Sequence, residues 1–203
     1  MVHVVGKVRE LVRMAEGRRA DAVRNREAII AAARTLVVER GPGIGMDEIA
    51  AAAGIAVGTL YRHFPAKQDL IEGAVADLAE TIAGSLDAAL LRVETGAAPA
   101  IDELLALLRS VVLEMKQERL FRFAVASLAE DALGEIRDRG RLAVDRLVEA
   151  AHREGSLYSD VTTDDVILLM ATAPADTIAE AEQLRWLALA RRALTSVPVQ
   201  GAD

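Results

Sequence analysis

The hydrophobic residues of this chain recur every three or four positions, which is the period of α-helices that bury one face. The first clear run extends from Ala22 to Arg40, ends at Gly41, and has its apolar positions at Ile29, Ile30, Ala33, Leu36 and Val37. Residues 1–20 show no clear period and form an N-terminal extension. Both a mobile, disordered basic arm and a helical extension remain open for it.

Two short helical segments follow a loop at residues 41–45 that is rich in glycine and proline. The first segment is rich in alanine and has Asp47 and Glu48 in its first turn, where acids complement the helix dipole. Gly54 ends it, because glycine adopts the left-handed conformation without a Cβ clash. A second helix begins near Gly58, and so short a connection predicts a helix-turn-helix.

The second helix of this motif has hydrogen-bonding side chains on its outward face, while Leu60 and Phe64 are assigned to the core. Thr59 is expected to contact a base or a phosphate, and Arg62 to contact guanine with two hydrogen bonds. The full set of predicted DNA contacts is Val57 against a thymine methyl group, Gly58, Thr59, Tyr61 and Lys67 to phosphates, Arg62, and His63 to a base or a phosphate. The spacing alone fits an ordinary helical hairpin equally well.

The remainder of the chain is predicted to be helical throughout. A long helix runs from Lys67 to about Leu91, and the expected later helices lie near residues 99–117, 119–130, 133–154, 166–173 and 179–197. Thr162 with the acids after it predicts a helix cap. The expected fold is therefore all-α with about nine helices. A helix-turn-helix domain at 21–67 precedes a helical domain at 68–203.

Composition supports packed helices. At 203 residues the chain can bury a substantial core, and its 52% hydrophobic content with only 3% aromatic residues favours helices over a β-sandwich. Cysteine is absent, so disulfides and thiolate chemistry are excluded. The sequence has neither a signal-peptide pattern nor a stretch of about 18 apolar residues, so a cytoplasmic protein is expected.

The charge is distributed unevenly along the chain. The net charge is −7, yet residues 1–65 contain ten Lys or Arg against seven Asp or Glu, a charge of +3. The remaining residues contain fourteen and twenty-four, a charge of −10. A basic N-terminal part on an acidic body would orient the protein toward DNA by one end.

No catalytic or metal-binding constellation is visible. The three histidines, His3, His63 and His152, lie far apart in different predicted segments, so neither a metal site nor a histidine-based triad is supported. The glycines fall at helix ends or in loops rather than in a phosphate-binding pattern. Neither enzymatic activity nor a cofactor or metal is expected.

The segment Gly58–Phe64, followed by Pro65, Ala66 and Lys67 and a long amphipathic helix, resembles the signature of the TetR family of bacterial transcriptional regulators. The similarity is close from about Arg26 to Val75 and extends beyond that only in the number and length of helices. The chain departs from the family at Gly45, where a Thr or Ser usually precedes the second helix. The hydroxyl that would cap this helix and hold a phosphate is therefore missing.

The resemblance implies a homodimeric repressor that binds a palindromic operator through two reading helices and dimerises through its two C-terminal helices. It also implies release by a small hydrophobic ligand bound between the long fourth helix and the helices that follow. The candidate lining residues, each of which is equally explained as core, are Met115, Arg119, Phe121, Arg122, Phe123, Met170 and Trp186. The alternative is a helical ligand-binding or interaction module without sequence-specific DNA binding. This alternative is suggested by Gly45, which has no hydroxyl, and by the lack of hydrogen-bonding side chains for base readout at Ala56, Val57 and Gly58.

Overall fold

The computed structural model describes the backbone of residues 2–174 and 178–195. Side chains are described from residue 17 onward in these ranges, except those of residues 18, 116, 117 and 119. In this part of the chain there are nine α-helices: α1 (Val2–Arg40), α2 (Met46–Ala52), α3 (Val57–His63), α4 (Lys67–Glu94), α5 (Ala100–Arg109), α6 (Lys116–Val125), α7 (Glu130–Arg153), α8 (Thr163–Ala171) and α9 (Glu180–Leu194). The prediction of an all-α fold with about nine helices is confirmed.

Two helix boundaries differ most from the sequence-based expectation. The first helix begins at Val2 instead of near Ala22, so the backbone of residues 2–20 is helical. The helix expected at 99–117 ends as an α-helix at Arg109 and continues as a π-helical turn, Ser110–Glu114. In this turn the Met115 amide donates to the Ser110 carbonyl at 2.9 Å, a bond across five residues. Such turns have no distinct hydrophobic period, so the sequence pattern did not reveal this one.

The chain forms two compact units. The first contains Met1–Val75 and Phe123–Ala129, and the second contains Ala76–Arg122 and Glu130–Asp203. Helices α4 and α6 therefore each contribute residues to both units. No helix in the described ranges combines the length and the apolarity needed to cross a membrane.

The first unit is built around the apolar face of α1. The buried side chains that helices α1 to α4 and the residue after α3 contribute to it include Ile29, Ile30, Ala33, Val37, Ile49, Ala50, Leu60, Phe64, Leu70, Ile71 and Ala74. The predicted glycine stop after α2 is confirmed, since Gly54 has φ +68°. The Ile55 amide donates to the Ala50 carbonyl at 3.0 Å and the Gly54 amide to the Ala51 carbonyl at 3.1 Å. This pair of bonds is a Schellman motif, and it turns the chain sharply into α3.

The second unit packs α5 against α7, with α8 and α9 beside them. Its buried cluster includes Leu86, Leu104, Leu108, Val144, Leu147, Ala151, Val166 and Leu194. The predicted cap of α8 is confirmed, because the Thr162 hydroxyl accepts from the Asp165 amide at 3.3 Å and the Asp165 carboxylate accepts from the Thr162 amide at 2.8 Å. The Thr162 hydroxyl also donates to the Asp165 carboxylate at 2.6 Å. This bond, and after it the one from the Thr162 amide, holds the pKa of Asp165 below its ordinary value.

Candidate nucleic-acid interface

Helix α3 presents most of the predicted DNA-contacting residues on one exposed surface. Leu60 and Phe64 are buried and hold the helix against the first unit, as expected for core residues. Val57, Gly58, Tyr61 and Arg62 are exposed, and Thr59 and His63 are half-buried. Lys67, the first residue of α4, is also half-buried. The surface formed by Val57, Gly58, Thr59, Tyr61, Arg62 and His63 is called the α3 surface below.

Thr59 and Arg62 are bonded to each other on this surface. The Arg62 Nη2 group donates to the Thr59 hydroxyl oxygen at 2.7 Å. Residues three apart in an α-helix lie on the same face, so the bond forms within α3 and needs no other element. The sequence assigned these two residues to separate contacts, whereas in the structure they form a hydrogen-bonded pair.

Lys67 has a structural contact that sequence reasoning did not anticipate. Its Nζ atom donates to the Ile44 carbonyl at 2.5 Å and so ties the start of α4 to the loop before α2. An ammonium group has three donors, which leaves Lys67 two further N–H bonds. The two residues are 23 positions apart, and no local pattern in the sequence links them.

The start of α2 compensates in part for the missing hydroxyl at Gly45. The Glu48 Oε1 atom accepts from the Gly45 amide at 3.3 Å, and Glu48 Oε2 accepts from Arg40 Nη1 at 3.0 Å. A Cβ atom at position 45 would collide with the Asp47 carboxylate. A carboxylate in the first turn thus satisfies the amide next to the helix start, and Arg40 fixes that carboxylate.

Arg26 packs on an aromatic ring. Its guanidinium carbon lies 5.5 Å from the centre of the Phe64 ring, within the range of a cation–π contact. A Cβ atom at Gly73 of α4 would lie 2.7 Å from Phe64 Cε1, so glycine is what admits the ring. Arg26 therefore braces the residue that follows α3.

The candidate ligand-binding residues differ in how deeply they are buried. Phe121 is fully buried, whereas Met115, Arg122, Met170 and Trp186 are half-buried, and Met170 and Trp186 pack against the core cluster of the second unit. The side chain of Arg119 lies outside the described part of the structure.

Phe123 does not fit the predicted lining, because its side chain is 85% exposed. Two positions along an α-helix correspond to a rotation of about 200°, so Phe123 faces away from the direction in which Phe121 is buried. The helical period contained this signal, but both phenylalanines were assigned to the lining for their aromatic character alone.

The described residues contain no group of three or more His, Asp or Glu side chains that could hold a metal ion. His63 lies on α3 and His152 on α7, where the His152 Nε2 atom is 3.1 Å from the Tyr158 carbonyl oxygen. The α3 surface is thus an exposed set of hydrogen-bonding groups without a metal-ligand arrangement. Such a surface suits recognition of a polar, extended partner.

Comparison with known proteins identifies related regulators. Residues 29–74 match the family model described as bacterial regulatory proteins, tetR family. An HTH-type transcriptional regulator of Staphylococcus aureus is 49% identical over 53 residues, which are 26% of this chain and 29% of that protein. The chain therefore aligns with less than a third of that relative's length.

Similarity to solved structures extends over most of the chain. A TetR transcription regulatory protein from Mycobacterium vanbaalenii is 26% identical with a TM-score of 0.66, covering 87% of this chain and 98% of that one. A gamma-butyrolactone receptor is 21% identical with a TM-score of 0.64, covering 87% of this chain and 91% of that one. At 21% identity the second likeness concerns the fold alone.

Proposed function

Because this chain belongs to the TetR family of bacterial regulatory proteins, we propose that it is a transcriptional repressor that binds a palindromic operator as a homodimer and is released by a small hydrophobic ligand. The observation that carries the proposal is the α3 surface, an exposed set of groups on a helix positioned by buried Leu60 and Phe64. A repressor of this kind acts in the cytoplasm, where its operator DNA is located.

The α3 surface suits a duplex with few direct base contacts. Ala56, Val57 and Gly58 provide no side-chain hydrogen bond, so base readout falls mainly to Arg62, whose guanidinium group is bonded to Thr59. Tyr61 is exposed beside them and is proposed to contact a phosphate. With few readers of base edges, part of the specificity would come from the shape of the duplex.

Helix α9 supports a dimer because apolar side chains lie on its exposed face as well as on its buried face. Its inward face buries Gln183, Ala190 and Leu194. Its opposite face is exposed at positions spaced three or four apart, namely Ala181, Leu184, Arg185, Ala188, Leu189 and Arg192. Packing this face and exposed Leu168 of α8 against a second copy would bury apolar surface. A twofold dimer reads two half-sites, and half-sites one turn of DNA apart are separated by about 34–36 Å.

The second unit is the proposed ligand-binding part. Half-buried Met170 and Trp186 pack on its apolar cluster, where a hydrophobic ligand would find flexible and aromatic contacts. The π-helical turn Ser110–Glu114 lies in the same unit, and such turns occur frequently at functional sites.

The proposal is tested by binding to a labelled duplex from the DNA flanking the protein's own gene, with excess competitor DNA, at two salt concentrations. Saturable binding that falls with salt is expected, because phosphate contacts release counterions. Tyr61→Ala should weaken binding to all duplexes. Tyr158→Ala is the matched control, since Tyr158 of the second unit is 43% exposed against 48% for Tyr61. If neither that duplex nor a low-salt heparin column retains the protein, the proposed function is wrong. The alternative, a helical ligand-binding or interaction module without sequence-specific DNA binding, is then favoured.

The dimer is tested by light scattering of two leucine variants. Leu184→Glu on the outer face of α9 should give a monomer and weaken operator binding. Leu91→Glu, on the exposed face of α4, should leave a dimer, although Leu91 is 59% exposed against 41% for Leu184. A dimeric Leu184→Glu protein would contradict the proposed interface.

A further inference from the structure

We propose that Thr59 is a positioning residue for Arg62, and that this pair sets a preference for a G·C base pair at one position of each operator half-site. The inference rests on the proposed function, since it specifies how the α3 surface reads DNA. The observation behind it is the hydrogen bond from Arg62 Nη2 to the Thr59 hydroxyl at 2.7 Å.

Thr59 is suited to fix a longer side chain. It is half-buried in α3, one position before fully buried Leu60. Its β-branched side chain has few χ1 rotamers in a helix, so its hydroxyl oxygen occupies one of a small set of positions. Arg62 is exposed and has many rotamers, and the bond to Thr59 restricts them before DNA is bound.

The remaining donors of the pair match guanine. A guanidinium group has five N–H donors, and the bond to Thr59 uses one of them. Recognition of guanine requires two, directed at the O6 and N7 atoms in the major groove. The Thr59 hydroxyl hydrogen also stays available, because the hydroxyl acts as the acceptor toward Arg62. Arg62 can therefore keep its hydrogen bond to Thr59 while it binds a guanine.

The other residues near the start of α3 cannot replace this restraint. Ala56, Val57 and Gly58 have no hydrogen-bonding side chain, and Leu60 is buried. Restricting one flexible side chain before binding is worth roughly two- to tenfold in affinity. Loss of the Thr59 hydroxyl should therefore reduce the preference for G·C by about that factor at a single position.

The experiment measures the affinities of full-length variants for a set of duplexes in which each half-site position carries all four base pairs in turn. The variants are Thr59→Val, which removes the hydroxyl and keeps the shape, Thr59→Ser, which keeps the hydroxyl, Arg62→Ala, and the double variant Thr59→Val with Arg62→Ala. Thermal unfolding of each variant reports whether the fold is intact.

Arg62→Ala should abolish the G·C preference at one position, and Thr59→Val should reduce it two- to tenfold at that same position. Thr59→Ser should keep the wild-type preference for G·C. In the Arg62→Ala background, Thr59→Val should have no further effect on that preference. A purely structural role for Thr59 would instead weaken binding to all duplexes equally.

Three results overturn the inference: an equal loss on all duplexes, a changed preference at a different position, or a Thr59→Val effect that persists without Arg62. The last would mean that Thr59 releases Arg62 on binding and contacts DNA itself. The proposed function fails separately, when the wild-type protein binds no duplex, and this inference then fails with it.

Discussion

Gly58 offers a substitution whose effects on folding and on DNA binding should have opposite signs. The residue is exposed at the second position of α3, and its φ angle is not positive. A Cβ atom built on it meets nothing within 4 Å. Alanine therefore fits the folded chain without strain. Since glycine within a helix costs about 0.5–1 kcal/mol relative to alanine, Gly58→Ala should stabilise the protein by up to that amount.

The expected effect on DNA binding is a loss. If α3 lies in the major groove, the start of the helix is close to the duplex, and the added methyl group occupies space that the bases or the backbone would fill. A loss of about 1.4 kcal/mol, or roughly tenfold in affinity, is the expected scale for displacing one close contact.

The assay combines urea unfolding with operator titration. Gly84→Ala is the matched control, because Gly84 is an exposed glycine of α4 in the second unit and its added Cβ also meets nothing within 4 Å. Both variants should unfold at higher urea concentrations, and only Gly58→Ala should bind the operator more weakly. Unchanged operator affinity in a stabilised Gly58→Ala protein would refute the close approach of DNA to this end of α3. A destabilised Gly58→Ala protein would refute the structural argument itself.

Further predictions concern both units. Gly73→Ala should destabilise the protein by about 1–3 kcal/mol in urea unfolding, because its Cβ would overlap the Phe64 ring, and an unchanged midpoint would contradict the packing. The hydrogen bonds from Arg92 at 2.6 and 2.7 Å lower the pKa of Glu103. This contribution to stability is present above the unfolded-state pKa of about 4.3 and is lost as pH falls through the lower folded-state value, so unfolding of Glu103→Gln should depend less on pH in that range. Exposed Phe123 should tolerate Phe123→Ser within about 0.5 kcal/mol, and a larger loss by thermal unfolding would indicate that it is covered.

Local features were predictable because they arise between residues close in sequence. The glycine stop at Gly54 and the threonine cap at Thr162 both rest on bonds within six residues, and both have the expected geometry. The helical period likewise identified Leu60 and Phe64 as core residues that support α3. Each of these predictions needs only the geometry of a single helix or turn.

Contacts across the fold were not predictable in the same way. The phosphate contact predicted for Lys67 stays a prediction, but the bond from its ammonium group to the Ile44 carbonyl 23 residues earlier was not foreseen. Arg26 lies against Phe64, and Gly73 admits that ring, although the three residues belong to α1, to the end of α3 and to α4. A basic residue has the same appearance in sequence whether its partner is DNA or another part of the chain.

By itself the sequence determined the helices, most of their ends and the residues that α3 turns outward, because the periodic burial of side chains and the conformational freedom of glycine act over a few residues. Only the tertiary structure decided that Lys67 is bonded to the Ile44 carbonyl, that Gly73 leaves room for the Phe64 ring and which aromatic residue of α6 is buried. Those outcomes depend on distances between segments far apart in the chain, and such distances are fixed only when the helices pack.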